Sequence, residues 1–144
     1  MNERVVSLLK NWSYLPQAVC QQAAWWACVI WMGWIGPMAM GLFLVAHMAF
    51  CRKQWAAECT LIAAATGVGV VVDNVLASIG AVEYVGDITV GSSPLWLVSI
   101  WAGFGATLRH SQHILVRSRR HALLTGALGG PAAYWGGERL ERMN

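Results

Sequence analysis

Residues 55–80 read WAAECTLIAAATGVGVVVDNVLASIG, an apolar run broken in its second half by Asp73 and Asn74. A helix needs about 20 residues, at 1.5 Å each, to cross ~30 Å of hydrocarbon, and this run is long enough. The chain as a whole has the matching composition: 12% charged and 57% hydrophobic among 144 residues. A soluble domain carries about a quarter charged residues, because water-facing surface must be polar. A chain bathed in lipid needs almost none, so the sequence is read as all-α, a polytopic transmembrane helix bundle. Nine tryptophans agree, since indole favours the zone between headgroups and acyl chains.

Working outward from this run, four further apolar stretches lie at about 17–34, 37–51, 94–116 and 121–137, giving about five spans in one domain covering 1–144. Gly36 and Pro37 are read as the break between the first two, and Arg52 and Lys53 close the second. The charged stretch Met1 to Gln17 has no small-residue cleavage site after it, so the first span is expected to be retained. Five spans place Arg4, Lys10, Arg52, Lys53, Arg117, Arg119 and Arg120 on one side, and Glu83 and Asp87 with no Lys or Arg in the 83–93 connection opposite. By the positive-inside rule the amino terminus is expected to be cytoplasmic and the carboxyl terminus periplasmic.

Small residues recur at helical spacing, as contact between helices in lipid requires. The third span carries Thr66, Gly69, Asp73, Ala77 and Gly80, and the fifth Ala122, Gly126, Gly130, Ala133 and Gly137, with a kink expected at Pro131. The net charge of +3 is too small and too dispersed to argue for nucleic acid. Four cysteines without a C-x-x-C pair are read as reduced packing residues.

The stretch Ser93-Pro94-Leu95-Trp96-Leu97, the stretch Thr107-Leu108-Arg109-His110-Ser111 and the stretch Gly129-Gly130-Pro131-Ala132-Ala133-Tyr134-Trp135 together resemble a family of small bacterial inner-membrane proteins known as domain of unknown function 2878. Val71-Val72-Asp73-Asn74 and Gly36-Pro37 fit the same pattern, so the resemblance covers nearly the whole chain. It implies an inner-membrane location, several helical spans, no assigned activity and a connection with lipid chemistry. The family pattern often has Asn before the histidine of the fourth span, where this chain has Arg109.

Polar groups at bilayer depth cost several kcal/mol unless partnered, so each one needs a reason. Counting rise per residue puts Gln21, Gln22, His47, Arg109 and His110 in one layer, one to two turns from the cytoplasmic boundary. Met40, Leu44, His47 and Cys51 form one stripe, and Trp96, Ile100, Gly103, Thr107 and His110 another. The expectation is a pocket of His47, His110 and the Gln21/Gln22 pair, with Arg109 reaching to the headgroups. Imidazole there can move a proton or bind a metal. Two histidines on different helices are no ligand set, and H-x-x-x-H and H-E-x-x-H spacings are absent, so neither metal nor cofactor is expected. Asp73, on the small-residue face, is read either as a functional carboxylate or as a packing group, paired with the indole of Trp34 or Trp96 or with Asn74.

Two functions stand level on these residues. One is an accessory or scaffold protein linked to membrane lipid metabolism; the other is a membrane-embedded enzyme on a lipid or isoprenoid, using Asp73, His110 and His47 as acid and base. A small transporter or channel subunit acting as an oligomer ranks third. The expected partners are membrane lipids and a second copy or another membrane protein, not nucleic acid.

Overall fold

The computed structural model describes residues 3–111 and 118–140, excluding the side chains of residues 3–14 and of His121, Ala122, Thr125, Gly126 and Gly137. Five α-helices make up the described fold: α1 (Glu3–Ile30), α2 (Ile35–Phe50), α3 (Trp55–Ser78), α4 (Leu95–Thr107) and α5 (Arg119–Arg139). A 3-10 turn, Arg52–Gln54, leads into α3, and a two-stranded hairpin, β1 (Thr89–Val90) and β2 (Ser93–Pro94), leads into α4. The hairpin is antiparallel, with Thr89 opposite Pro94 and Val90 opposite Ser93.

Several boundaries differ from the sequence reading. The charged stretch ahead of the first apolar run is not separate, because α1 continues through it from Glu3 with Pro16 inside. The break between the first two helices is Trp31 to Trp34, not Gly36-Pro37. Gly36 and Pro37 sit in the first turn of α2, where an N–H has no helical partner and proline therefore costs nothing. Cys51 N–H bonds to His47 O at 3.0 Å, which closes α2. The fourth apolar run gives a helix ending at Thr107 rather than reaching 116. Its 13 residues cover about 20 Å, and the stretch from 112 to 116 lies outside the described residues.

α4 is the centre of the bundle, packing against α1, α2 and α3, while α1 also packs on α2. Buried Ala24 and Cys28 of α1, Met40 and Phe43 of α2, and Trp96, Leu97 and Ala106 of α4 form the core. α3 and α4 approach closely because each offers glycine to the other. A Cβ at Gly69 would overlap the Trp101 ring, and one at Gly105 would stand 2.9 Å from both Ala65 Cβ and Ile62 Cα. Of the expected small-residue face of α3, Gly69 and Asp73 are buried contacts, whereas Gly80 lies beyond the helix, exposed, with nothing within 4 Å of where a Cβ would stand. That of α5 is not seen as a contact among the described residues: a Cβ on Gly130 would meet nothing within 4 Å, and Gly126 lies outside the described side chains. α5 joins the core through Tyr134.

Asn74 fastens the hairpin to α3. Its Oδ1 accepts Ser92 N–H at 2.7 Å, and its Nδ2 donates to Val70 O at 2.8 Å and Val90 O at 3.4 Å. This local clamp, not a bond to Asp73, is what the amide does.

Among the described residues one helical segment, Arg52–Ser78, is long and apolar enough to cross a membrane, and α2 and α4 are shorter apolar helices. Only 11% of its apolar window is buried, whereas the core helix of a water-soluble protein would be mostly covered. Met38, Leu42 and Val45 on α2, Val68, Val71 and Val75 on α3, and Leu123, Leu124 and Leu128 on α5 are likewise exposed.

Replacing Gly105 by Leu should force α3 and α4 apart and lower stability in detergent by about 1–3 kcal/mol. Gly67→Ala, whose Cβ meets nothing within 4 Å, should melt like the parent; equal melting of all three proteins would refute this packing.

Candidate functional site: two buried carboxylates on one helix

α3 carries two carboxylates with no exposed surface, Glu58 in its first turns and Asp73 in its last. Fifteen residues of helix separate them by about 22 Å. Each has gathered a different set of partners.

Asp73 is surrounded by neutral donors. Oδ2 accepts Ser93 Oγ–H at 2.9 Å and the Trp101 indole N–H at 3.1 Å. Oδ1 accepts the hydroxyl of Tyr134 at 2.7 Å and that of Tyr84 at 3.4 Å. A carboxylate has about four acceptor positions, so all are taken. The donors come from β2, α4, α5 and the α3–α4 connection, and the carboxylate ties these elements to α3. Burial pushes the Tyr84 phenol up to about 12, which keeps it a donor at neutral pH.

Glu58 is surrounded by ionisable groups. Oε2 lies 3.2 Å from His47 Nε2, and Oε1 lies 3.2 Å from His110 Nε2 and 3.1 Å from Arg109 Nη1. The guanidinium also donates to Gln54 Oε1 at 2.7 Å. The two imidazoles meet edge to face with centroids 5.2 Å apart. Cys51 Sγ is 3.6 Å from His110 Nε2 and 4.0 Å from His47 Nδ1. Gln17 Nε2 lies 2.9 Å from His47 Nδ1, while the buried Gln17 Oε1 has no partner.

The local structure explains the assembly. His47 and Cys51 are four apart at the end of α2, hence on one face, and the 3-10 turn brings the chain back so that Glu58 faces them. Arg109 and His110 follow the end of α4, where a turn bonds His110 N–H to Thr107 O at 3.1 Å. The four potential ligand residues His47, Cys51, Glu58 and His110 place one donor atom each within 4.8 Å of one another.

His47, His110 and Arg109, expected in one layer, are thus brought together. Gln21 and Gln22 are not part of the cluster: Gln22 is exposed and Gln21 half-buried, and the amide that reaches His47 belongs to Gln17, one turn earlier on α1. Arg109 binds Glu58 and Gln54 instead of extending away as an anchor. The indole on Asp73 is that of Trp101, since Trp96 donates to Val85 O at 2.8 Å and Trp34 is exposed. Asp73 and His110 belong to different clusters and do not form one acid–base pair. Sequence reasoning missed Glu58, which follows Arg52 and Lys53 and so reads as a boundary charge. The signal was present: Glu58, Ile62, Thr66, Gly69 and Asp73 recur at four, four, three and four, so the small-residue face runs back to Glu58.

A comparison with protein families matches residues 14–144 to proteins of unknown function, DUF2878. The chain belongs to that family. No curated protein and no solved structure matches it. In this DUF2878 chain, Arg109 supplies the cation that offsets the buried Glu58 charge.

Asp73→Asn puts an amide N–H₂ among four donors and should cost about 1–3 kcal/mol for each donor left unpaired. Tyr134→Phe should cost less than Asp73→Asn in the same thermal melts; the reverse order would overturn the role given to the carboxylate. Tyr84 has a folded value above its unfolded ~10. Its contribution is whole below pH about 10 and is lost as pH rises through about 12. Tyr84→Phe should accordingly flatten the alkaline limb of the melting profile, and an unaltered limb would count against it.

Proposed function

We propose that this protein crosses the bacterial inner membrane several times, amino terminus in the cytoplasm, and acts there as an accessory or scaffold protein linked to membrane lipid metabolism. One observation carries this reading. Both buried carboxylates spend their hydrogen-bonding capacity on residues from other parts of the fold, while the apolar helix faces point outward. The polar interior is used to hold helices together, and the outside is suited to acyl chains and to other membrane proteins.

The orientation is supported by charge. Arg52 and Lys53 shortly precede Glu58 in the chain and Arg109 pairs with it, whereas the connection that follows Asp73 holds Glu83 and Asp87 with no Lys or Arg. On this reading Glu58 faces the cytoplasm and Asp73 the periplasm. The short α4 suits a helix surrounded by α1, α2 and α3, which need not itself match the bilayer thickness.

A second reading, a membrane-embedded enzyme, is favoured by the imidazole–carboxylate contacts at Glu58, a pairing that can relay protons. Its acid and base would be Glu58 with His47 or His110; Asp73, some 22 Å along the helix, would take no part.

A reporter fused after Asn144 should read periplasmic; a cytoplasmic reading would overturn the orientation. For the role, Asp73→Asn and His110→Ala are followed for membrane abundance and for the membrane lipid profile of the cell. The scaffold reading expects any change in profile to track abundance. A His110→Ala protein at parental abundance with the profile of a deletion strain would sink it in favour of catalysis.

A further inference from the structure

The two ends of α3 answer the same physical need with different chemistry, and the difference is informative. A buried carboxylate is fully served by hydroxyls and an indole, as at Asp73. At Glu58 one guanidinium already offsets the charge, yet two imidazoles and a thiol are added within a few ångströms. Packing alone does not call for that set, whereas His, His, Cys and Glu are the residue types that ligate transition metals.

We propose that His47, Cys51, Glu58 and His110 form a binding site for one zinc-class divalent transition-metal ion. The inference does not rest on the scaffold reading. Spacing supports it. In a tetrahedral site with metal–nitrogen or metal–oxygen bonds of about 2.0–2.1 Å and metal–sulfur of about 2.3 Å, neighbouring ligands stand about 3.3 Å apart, or about 3.5 Å where one is sulfur. Here Glu58 Oε2 stands 3.2 Å from His47 Nε2 and Oε1 3.2 Å from His110 Nε2, so whichever oxygen ligates has one imidazole at ligand spacing, and the His110 Nε2 to Cys51 Sγ separation is 3.6 Å. The widest separation, within 4.8 Å, closes with a shift of about an ångström in side chains that already face one another.

The outer shell is also in place. A metal-bound imidazole usually donates its other ring N–H to an acceptor. Next to His47 Nδ1 stands the Gln17 amide, whose buried Oε1 lacks a partner. Turning that amide over puts the oxygen on Nδ1–H and leaves Nε2 for the ion; amide orientation is set by such networks. One Glu58 oxygen is left for Arg109. Binding releases one proton, from the Cys51 thiol, and each imidazole ligates through Nε2 after its proton moves from that nitrogen, where it faced Glu58, to Nδ1. The thiolate favours a zinc-class ion over magnesium or calcium, and four protein ligands make a closed, structural site. The ion would cross-brace α2, α3 and the turn after α4.

The test uses the full chain, purified in detergent through a tag without histidines, equilibrated with Zn²⁺ or Co²⁺ and freed of excess ion. One ion per chain is expected, and with Co²⁺ the visible bands of tetrahedral coordination plus a sulfur-to-metal charge-transfer band. Cys51→Ser should abolish the charge-transfer band and weaken binding at least tenfold, while Cys59→Ser, at an exposed thiol, leaves both unchanged. Gln17→Leu should weaken binding about 10- to 100-fold, as outer-shell changes do, and keep the sulfur band. Gel filtration and helicity confirm that each variant is folded. Failure of the parent protein to retain either ion, or retention with an unaltered spectrum by folded Cys51→Ser, would overturn the site whatever the protein's role in the cell.

Discussion

The structure depends on the need to partner two carboxylates buried on one helix. Outside water an unpaired carboxylate costs several kcal/mol, so the rest of the chain must bring donors to it. Glu58 and Asp73 lie about four turns apart on the same face of α3. Satisfying both at once sets where α2, α4, the hairpin and α5 must lie. Asp73 draws in Ser93, Trp101, Tyr84 and Tyr134, and Glu58 draws in His47, Arg109 and His110. The helices thereby acquire a polar reason to associate at each end of α3.

Between these ends the contact is steric. Gly69 and Gly105 let α3 and α4 approach until the Trp101 ring lies on the backbone of α3, and that approach brings the indole N–H to Asp73. The glycine face and the carboxylate are therefore one device: without the close approach the donor would not reach. The same logic holds between α2 and α4, where Met40 lies against Gly103 near the layer that brings the two imidazoles together.

The two ends differ in what remains after the carboxylate is satisfied. At Asp73 nothing remains, because four neutral donors occupy its four acceptor positions. At Glu58 the partners include two imidazoles and a nearby thiol, groups that donate to a carboxylate in one protonation state and ligate a cation in another. This asymmetry makes Asp73 a structural tie and the Glu58 end the place where chemistry or a bound ion is to be sought.

The amino-acid sequence by itself determined the helical class, the apolar character of α3, the small-residue face around Gly69 and Asp73, and the shared layer of His47, His110 and Arg109. These follow from composition and from periodicity within single helices, which are local properties. It also carried enough of the family pattern for membership to be recognised. Only the tertiary structure decided that Glu58 is interior and joins the histidines, that Gln17 and not Gln21 or Gln22 meets His47, and that Asp73 takes its indole from Trp101. A charge beside Arg52 and Lys53 is indistinguishable in sequence from a solvated boundary residue. Which side chains converge across residues 17 to 110 depends on how far each helix slides and rotates against its neighbour. The depth of close packing at glycine sets that register, and no single helix encodes it.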